Sequence, residues 1–201
     1  MRRTFEDFRP GDRYDLGTAV IDEAEMLAFA RRYDPQPFHV DPAVAAETPF
    51  GGIIASGWFT MAVFMRLYVD AVLAGSTSQG SPGLSELRWL LPVRAGDVLA
   101  GRLTVLEVAP SQTRPGRGTV VLHGELLRDG TPVMRCTFRG LFGRRDATAA
   151  ADGADGADGA DGAGSQAATD LAGATDLAGA TGSQAATDVA GAAGSPGAAA
   201  G

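Results

Sequence analysis

The side chains best suited to chemistry lie in one short stretch, Tyr33-Asp34-Pro35-Gln36-Pro37-Phe38-His39-Val40-Asp41-Pro42. Three prolines in these ten residues argue against a regular helix or a central strand. Each also pushes the residue before it towards extended backbone, here Asp34, Gln36 and Asp41. The expected result is a stiff loop that presents one carboxylate and one imidazole a few residues apart. Such a pair, Asp34 and His39, suits general acid–base work, in which one group strips a proton and the other supplies one. The competing structural assignment has Asp34 ending a helix and His39 pairing with Asp41. The second histidine, His123, falls mid-strand beside Leu122 and reads as a sheet residue.

The elements that must position this pair can be read on both sides of it. Arg13 to Ile21 alternates loosely and is expected to be a strand. Asp22 is a good N-cap, with Glu25 three residues on, so a helix should run from there to about Tyr33. Its apolar stripe is Met26, Leu27, Phe29 and Ala30, and Arg31 and Arg32 suit the negative end of its dipole. After the loop, Pro42 to Glu47 makes a short helix capped by Asp41, with Pro42 first. Thr48 to Gly52 is a turn. Ser56 then caps the longest helix, roughly Gly57 to Leu73, which is apolar on nearly every face and must be wrapped by something. Arg66 and Asp70 interrupt it at a spacing that allows them to pair. They leave the uncharged run too short to span a bilayer.

The wrapping material follows as four expected strands, Gly83 to Leu91, Val98 to Val108, Arg117 to Leu127 and Thr131 to Phe142. Arg94 to Asp97 and Arg128 to Thr131 supply turns, the second with an Asp-Gly hairpin signal. An early strand, a buried helix and an antiparallel run make an α+β arrangement, with a curved antiparallel sheet around one long apolar helix.

Composition divides the chain in two. Residues 1–145 form one domain of ordinary size. Residues 146–201 are almost entirely Ala, Gly, Asp, Ser, Thr and Gln in short repeats and are expected to be disordered. Of the 24 acidic residues, eight lie in that tail, which leaves 16 against 17 arginines in the body. The overall charge of −7 therefore belongs to the tail. No basic stripe suggests a nucleic-acid partner. A single cysteine, Cys136, excludes an intramolecular disulfide and a cysteine zinc cluster, and its alternating segment makes it a core side chain. No metal site is expected. The amino-terminal residues carry no apolar run, so the expected compartment is the cytoplasm and no membrane partner is expected.

Three segments together resemble the MaoC-like dehydratases, including the (R)-specific enoyl-CoA hydratases. They are Asp34-Pro35-Gln36-Pro37-Phe38-His39, Gly51-Gly52-Ile53-Ile54-Ala55-Ser56-Gly57, and Leu90-Leu91-Pro92-Val93-Arg94-Ala95-Gly96-Asp97-Val98-Leu99. The resemblance covers about Phe5 to Phe142. It implies the hotdog fold, catalytic positions for Asp34 and His39, and an amide of Gly57 facing a thioester oxygen. It also implies a hydro-lyase that adds water to a 2-enoyl thioester or removes it from a 3-hydroxyacyl thioester. Gln36 stands where the family has Asn, and Ser56 where several members carry His.

Under this reading Ser56, Gln36 and Phe38 help to bind substrate, with Tyr33 and Phe38 candidates for an acyl pocket. Arg88 or Arg94 would meet the phosphates of CoA or of a phosphopantetheine arm, which is the substrate's handle rather than a cofactor. A homodimer pairing two sheets is expected from the resemblance and from the need to protect a sheet edge. A hotdog acyl-thioesterase, or a non-catalytic subunit that binds acyl thioesters, remains an alternative.

Overall fold

The computed structural model describes residues 2–146. The tail expected to be disordered lies, beyond Asp146, outside the described residues. Five strands, β1 (Arg13–Val20), β2 (Gly83–Trp89), β3 (Val98–Pro110), β4 (Arg117–Arg128) and β5 (Thr131–Gly143), form one antiparallel sheet in the order β1-β3-β4-β5-β2. Four helices lie between the first two strands: α1 (Glu23–Tyr33), α2 (Pro37–Val40), α3 (Pro42–Ala46) and α4 (Gly57–Tyr68). This is the expected α+β hotdog arrangement, a curved sheet around one apolar helix.

The alternation along the strands explains the wrap. On β4, Val120, Leu122, Gly124 and Leu126 face inward and are buried, while His123 and Glu125 between them face out. Phe59, Thr60, Phe64, Leu67 and Tyr68 form the buried stripe of α4, at the three- and four-residue spacing of a single helix face. The sheet comes so close to this helix that a Cβ on Gly124 would sit 2.2 Å from the Phe64 ring. Only glycine fits there. Cys136 is buried in the same core, and that burial pushes its thiol up to about 12, so it offers no nucleophile.

Three details depart from the expected outline. Pro37 does not exclude helix: it occupies the first position of α2, a single turn with Gln36 as N-cap. A proline costs nothing there, because the first amides of a helix lack partners anyway. The central helix is α-helical only to Tyr68 and continues as one wider turn over Val69–Leu73. It is also not covered all round, since Trp58 and Met65 are exposed. The expected Arg66–Asp70 pair forms at 2.8 Å on the surface. Among the described residues no helix is long and apolar enough to cross a membrane.

Candidate active site

Asp34 is the C-cap of α1, and its amide donates to the Ala30 carbonyl. The half of the structural assignment that ends a helix at Asp34 therefore holds. Its other half does not, because Asp41 spends its carboxylate on the amides of Ala43 and Val44 as the cap of α3. His39 turns instead towards Asp34, with Nε2 at 3.3 Å from Oδ2. The turn of α2 makes this possible: its first hydrogen bond, from the His39 amide to the Gln36 carbonyl at 2.8 Å, folds the chain back.

The ring orientation is set from behind. His39 Nδ1 lies 2.8 Å from the Ile54 carbonyl oxygen. A carbonyl only accepts, so Nδ1 carries the proton and donates, and in the neutral ring Nε2 is the acceptor. Phe38 packs edge-on against the imidazole, with ring centroids 4.4 Å apart, and also contacts Phe50 at 5.6 Å.

Both oxygens of Asp34 have donors. Ser56 Oγ donates to Oδ2 at 2.7 Å and Gln36 Nε2 donates to Oδ1 at 2.7 Å. The Ser56 hydroxyl, above all, holds the carboxyl below the usual carboxylate range. Partial burial opposes it, while the Gln36 amide and the charge of His39 add to it. Ser56 is fully buried and its oxygen also accepts from the Trp58 amide at 3.2 Å, which caps α4. One serine thus ties Asp34 to the start of the central helix. In Ser56→Ala the carboxyl should titrate at higher pH than in the parent protein, because the largest stabiliser of its charged form is gone. Lost capping should also cost about 0.5–2 kcal/mol of stability. NMR titration of the Asp34 carboxyl carbon checks this, and coincident midpoints in the two proteins would refute it.

These groups open onto a cleft of about 430 Å³. Asp34, Gln36, His39, Gly57 and Thr60 line it together with Phe50, Ile54, Trp58, Trp89, Leu90 and Leu91, which supply much of its apolar wall. The His39 side chain is 6% exposed and that of Asp34 18%, so both face the cleft rather than bulk water. Gly57 is the first residue of α4. Amides at this position lack an intrahelical acceptor and lie at the positive end of the dipole.

The structure thus brings Asp34, His39, Gln36, Ser56 and Gly57 together and leaves the other candidates outside. Phe38 supports the imidazole but does not line the cleft, and neither does Tyr33. Arg88 is exposed and paired with Glu86 at 3.4 Å. Arg94 is occupied by the carbonyls of Ile53 and Phe50. The two tryptophans of the cleft were not foreseen. Trp89 Nε1 donates to the Gly57 carbonyl at 2.8 Å, and its ring meets Trp58 edge-on at 5.5 Å. No local pattern marks them, because β2 reaches α4 only in the folded chain. His123 behaves as the expected sheet residue, with Nδ1 3.2 Å from Thr137 Oγ1. Among the described residues no group of three or more His, Cys, Asp and Glu side chains converges as a metal site.

Residues 7–125 match the MaoC like domain family. The chain belongs to that family. This MaoC-like domain is similar to a crystal structure of the MaoC-like dehydratase from Rhodospirillum rubrum. The two are 41% identical with a TM-score of 0.65, over 71% of this chain and 97% of that one. It is 30% identical over 133 residues to the (R)-specific enoyl-CoA hydratase of the same organism, covering 60% of this chain and 87% of the relative. It is 29% identical over 137 residues to the 3-hydroxybutyryl-CoA dehydratase of Methylorubrum extorquens, covering 65% and 82%.

Proposed function

We propose that this MaoC-like domain is a hydro-lyase acting on a 2-enoyl or 3-hydroxyacyl thioester of CoA or of an acyl carrier. The observation that carries the proposal is the pair Asp34 Oδ2 and His39 Nε2, 3.3 Å apart, in a largely apolar cleft that Gly57 also lines. Two acceptors this close are suited to hold both hydrogens of one water. In the hydration direction His39 Nε2 takes a proton from that water, and the hydroxide oxygen bonds to C3 of the enoyl group. The C2–C3 π electrons move towards the thioester oxygen, giving an enolate. The Gly57 amide, at the positive end of α4, is suited to hold that oxygen. The enolate collapses as the imidazolium returns its proton to C2. Asp34 holds the water's second hydrogen and steadies the imidazolium. Dehydration is the reverse, through the same groups.

Support comes from the family and from relatives whose names are a hydratase and a dehydratase. The test is direct. Purified protein mixed with a short trans-2-enoyl-CoA should remove the absorbance of the conjugated thioester without releasing thiol. Thiol release would instead assign acyl-thioester hydrolysis. Binding without either change would assign a non-catalytic subunit.

The same proposal includes a homodimer formed through β2, an edge strand of the sheet. In an antiparallel pairing of two copies centred on Leu87, Glu86 of one copy falls opposite Arg88 of the other. Leu84, Trp89, Leu90 and Leu91 on and beside this edge are exposed, as are Trp58 and Met65 on α4. Light scattering at micromolar concentration should give the mass of two chains, and a monomer would overturn the pairing.

A further inference from the structure

Arg94 carries an assignment that the reaction alone does not give. Its Nη1 donates to the Ile53 carbonyl at 3.0 Å, and its Nη2 to the Phe50 carbonyl. One planar guanidinium therefore bridges two carbonyls of the segment that leads into α4. The clamp is itself braced. The Arg94 amide donates to Asp97 Oδ2 at 2.8 Å, and Arg128 donates to the same oxygen at 2.7 Å and to the Pro92 carbonyl at 3.1 Å. Next to Arg94, the Val93 carbonyl accepts from the Ala55 amide at 2.8 Å. Ile54 is thus held on both sides, through Ile53 and through Ala55. Its own carbonyl is the oxygen that accepts from His39 Nδ1.

We propose that Arg94 is a positioning residue that fixes the Ile54 carbonyl, and through it the proton on His39 Nδ1 and the direction of Nε2. Arg94 belongs to the turn between β2 and β3, far from His39 in sequence, and reaches the imidazole only through backbone. Its bonds to the Ile53 and Phe50 carbonyls use two of the five guanidinium donors, so the assignment competes with phosphate binding by the substrate's handle, and the two substrates below separate the two roles. Lysine is a poor replacement, since a point charge does not bridge two carbonyls as a planar fork does. The kinetic part rests on the hydro-lyase reading, and the spectroscopic part does not.

The experiment compares parent protein, Arg94→Gln and Arg94→Lys on two substrates, an enoyl-CoA and the matching enoyl-pantetheine thioester, which lacks the nucleotide phosphates. For both variants kcat should fall by about 10–100-fold on both substrates, the scale of a catalytic group displaced by up to 1 Å, with KM little changed. The ¹⁵N signals of the His39 ring, separated from the single other histidine by a His123→Gln background, should move from the Nδ1–H tautomer towards a mixture. Three results would overturn the assignment: a raised KM for the CoA substrate alone, an unchanged kcat, or a fallen kcat with unchanged His39 signals. If Arg94→Gln does not fold, Arg94→Lys carries the same readouts. If the parent protein turns over neither substrate, the hydro-lyase reading fails, and the ring signals still decide the role of Arg94.

Discussion

Asp34→Asn and His39→Asn should each lower kcat by about 10²–10⁴-fold, the usual contribution of a positioned acid or base. The choice of asparagine matters in both cases. At position 39 its amide nitrogen reaches roughly where Nδ1 stands, so the bond to the Ile54 carbonyl is kept while the group at Nε2 is lost. At position 34 it keeps one oxygen to accept from Ser56 or Gln36 and puts an NH₂ in place of the other, where both carboxylate oxygens now accept. Fold and cleft should survive, and far-UV circular dichroism should not change. Under the proposal that the two groups grip one water, the double variant should be little worse than either single one. Full additivity of the two losses would mean that they act in separate steps, and parental rates in both singles would remove the pair from the chemistry.

Much of this arrangement could be read from residue types. Proline rings flanking Asp34 and His39 signalled a fixed loop, and the caps Asp22, Asp41 and Ser56 marked where three helices begin. Those signals are local, so they survive without knowledge of the fold. What could not be read depends on contacts between distant segments. That Ser56 would donate to Asp34 across 22 residues, or that Arg94 would clamp the Ile53 carbonyl across 41, has no trace in spacing. An arginine before an Ala-Gly-Asp turn looks the same whether it faces a phosphate or a carbonyl.

The central helix shows the same division from another side. Its composition stated that every face would be covered, but not by what. Within one chain the sheet covers the face of Phe64 and Leu67, Phe29 of α1 packs on Phe59, and Trp58 and Met65 stay exposed. Apolar content therefore overstated the wrap that a single sheet provides. The surplus is where a second copy is proposed to sit. Pro37 differs in the other direction: its ring argues against helix, yet it starts the turn that carries His39 back to Asp34.

Gly57→Ala should cost about 10²-fold in kcat/KM while leaving the protein folded. A Cβ at this position would lie 2.5 Å from Trp89 Cε2 and 2.8 Å from Nε1. Neither backbone nor core can yield as cheaply as Trp89, which is 46% exposed. The indole should therefore swing outward, break its hydrogen bond to the Gly57 carbonyl and remove one wall of the cleft. In a helix interior Ala is favoured over Gly by roughly 0.8–1.0 kcal/mol, and at this first position of α4 a smaller share of that offsets the strain, so thermal stability should change little. The amide itself is retained, so the loss reports geometry rather than a missing donor, on the scale of a 1 Å misplacement. Trp89 fluorescence, read in a Trp58→Phe background, should shift to the red as the ring enters water. Shrinking the ring by Trp89→Leu in the Gly57→Ala protein should relieve the contact and recover part of the rate. A Gly57→Ala protein with parental kcat/KM and unshifted emission would show that the helix start and the indole are not mechanically linked.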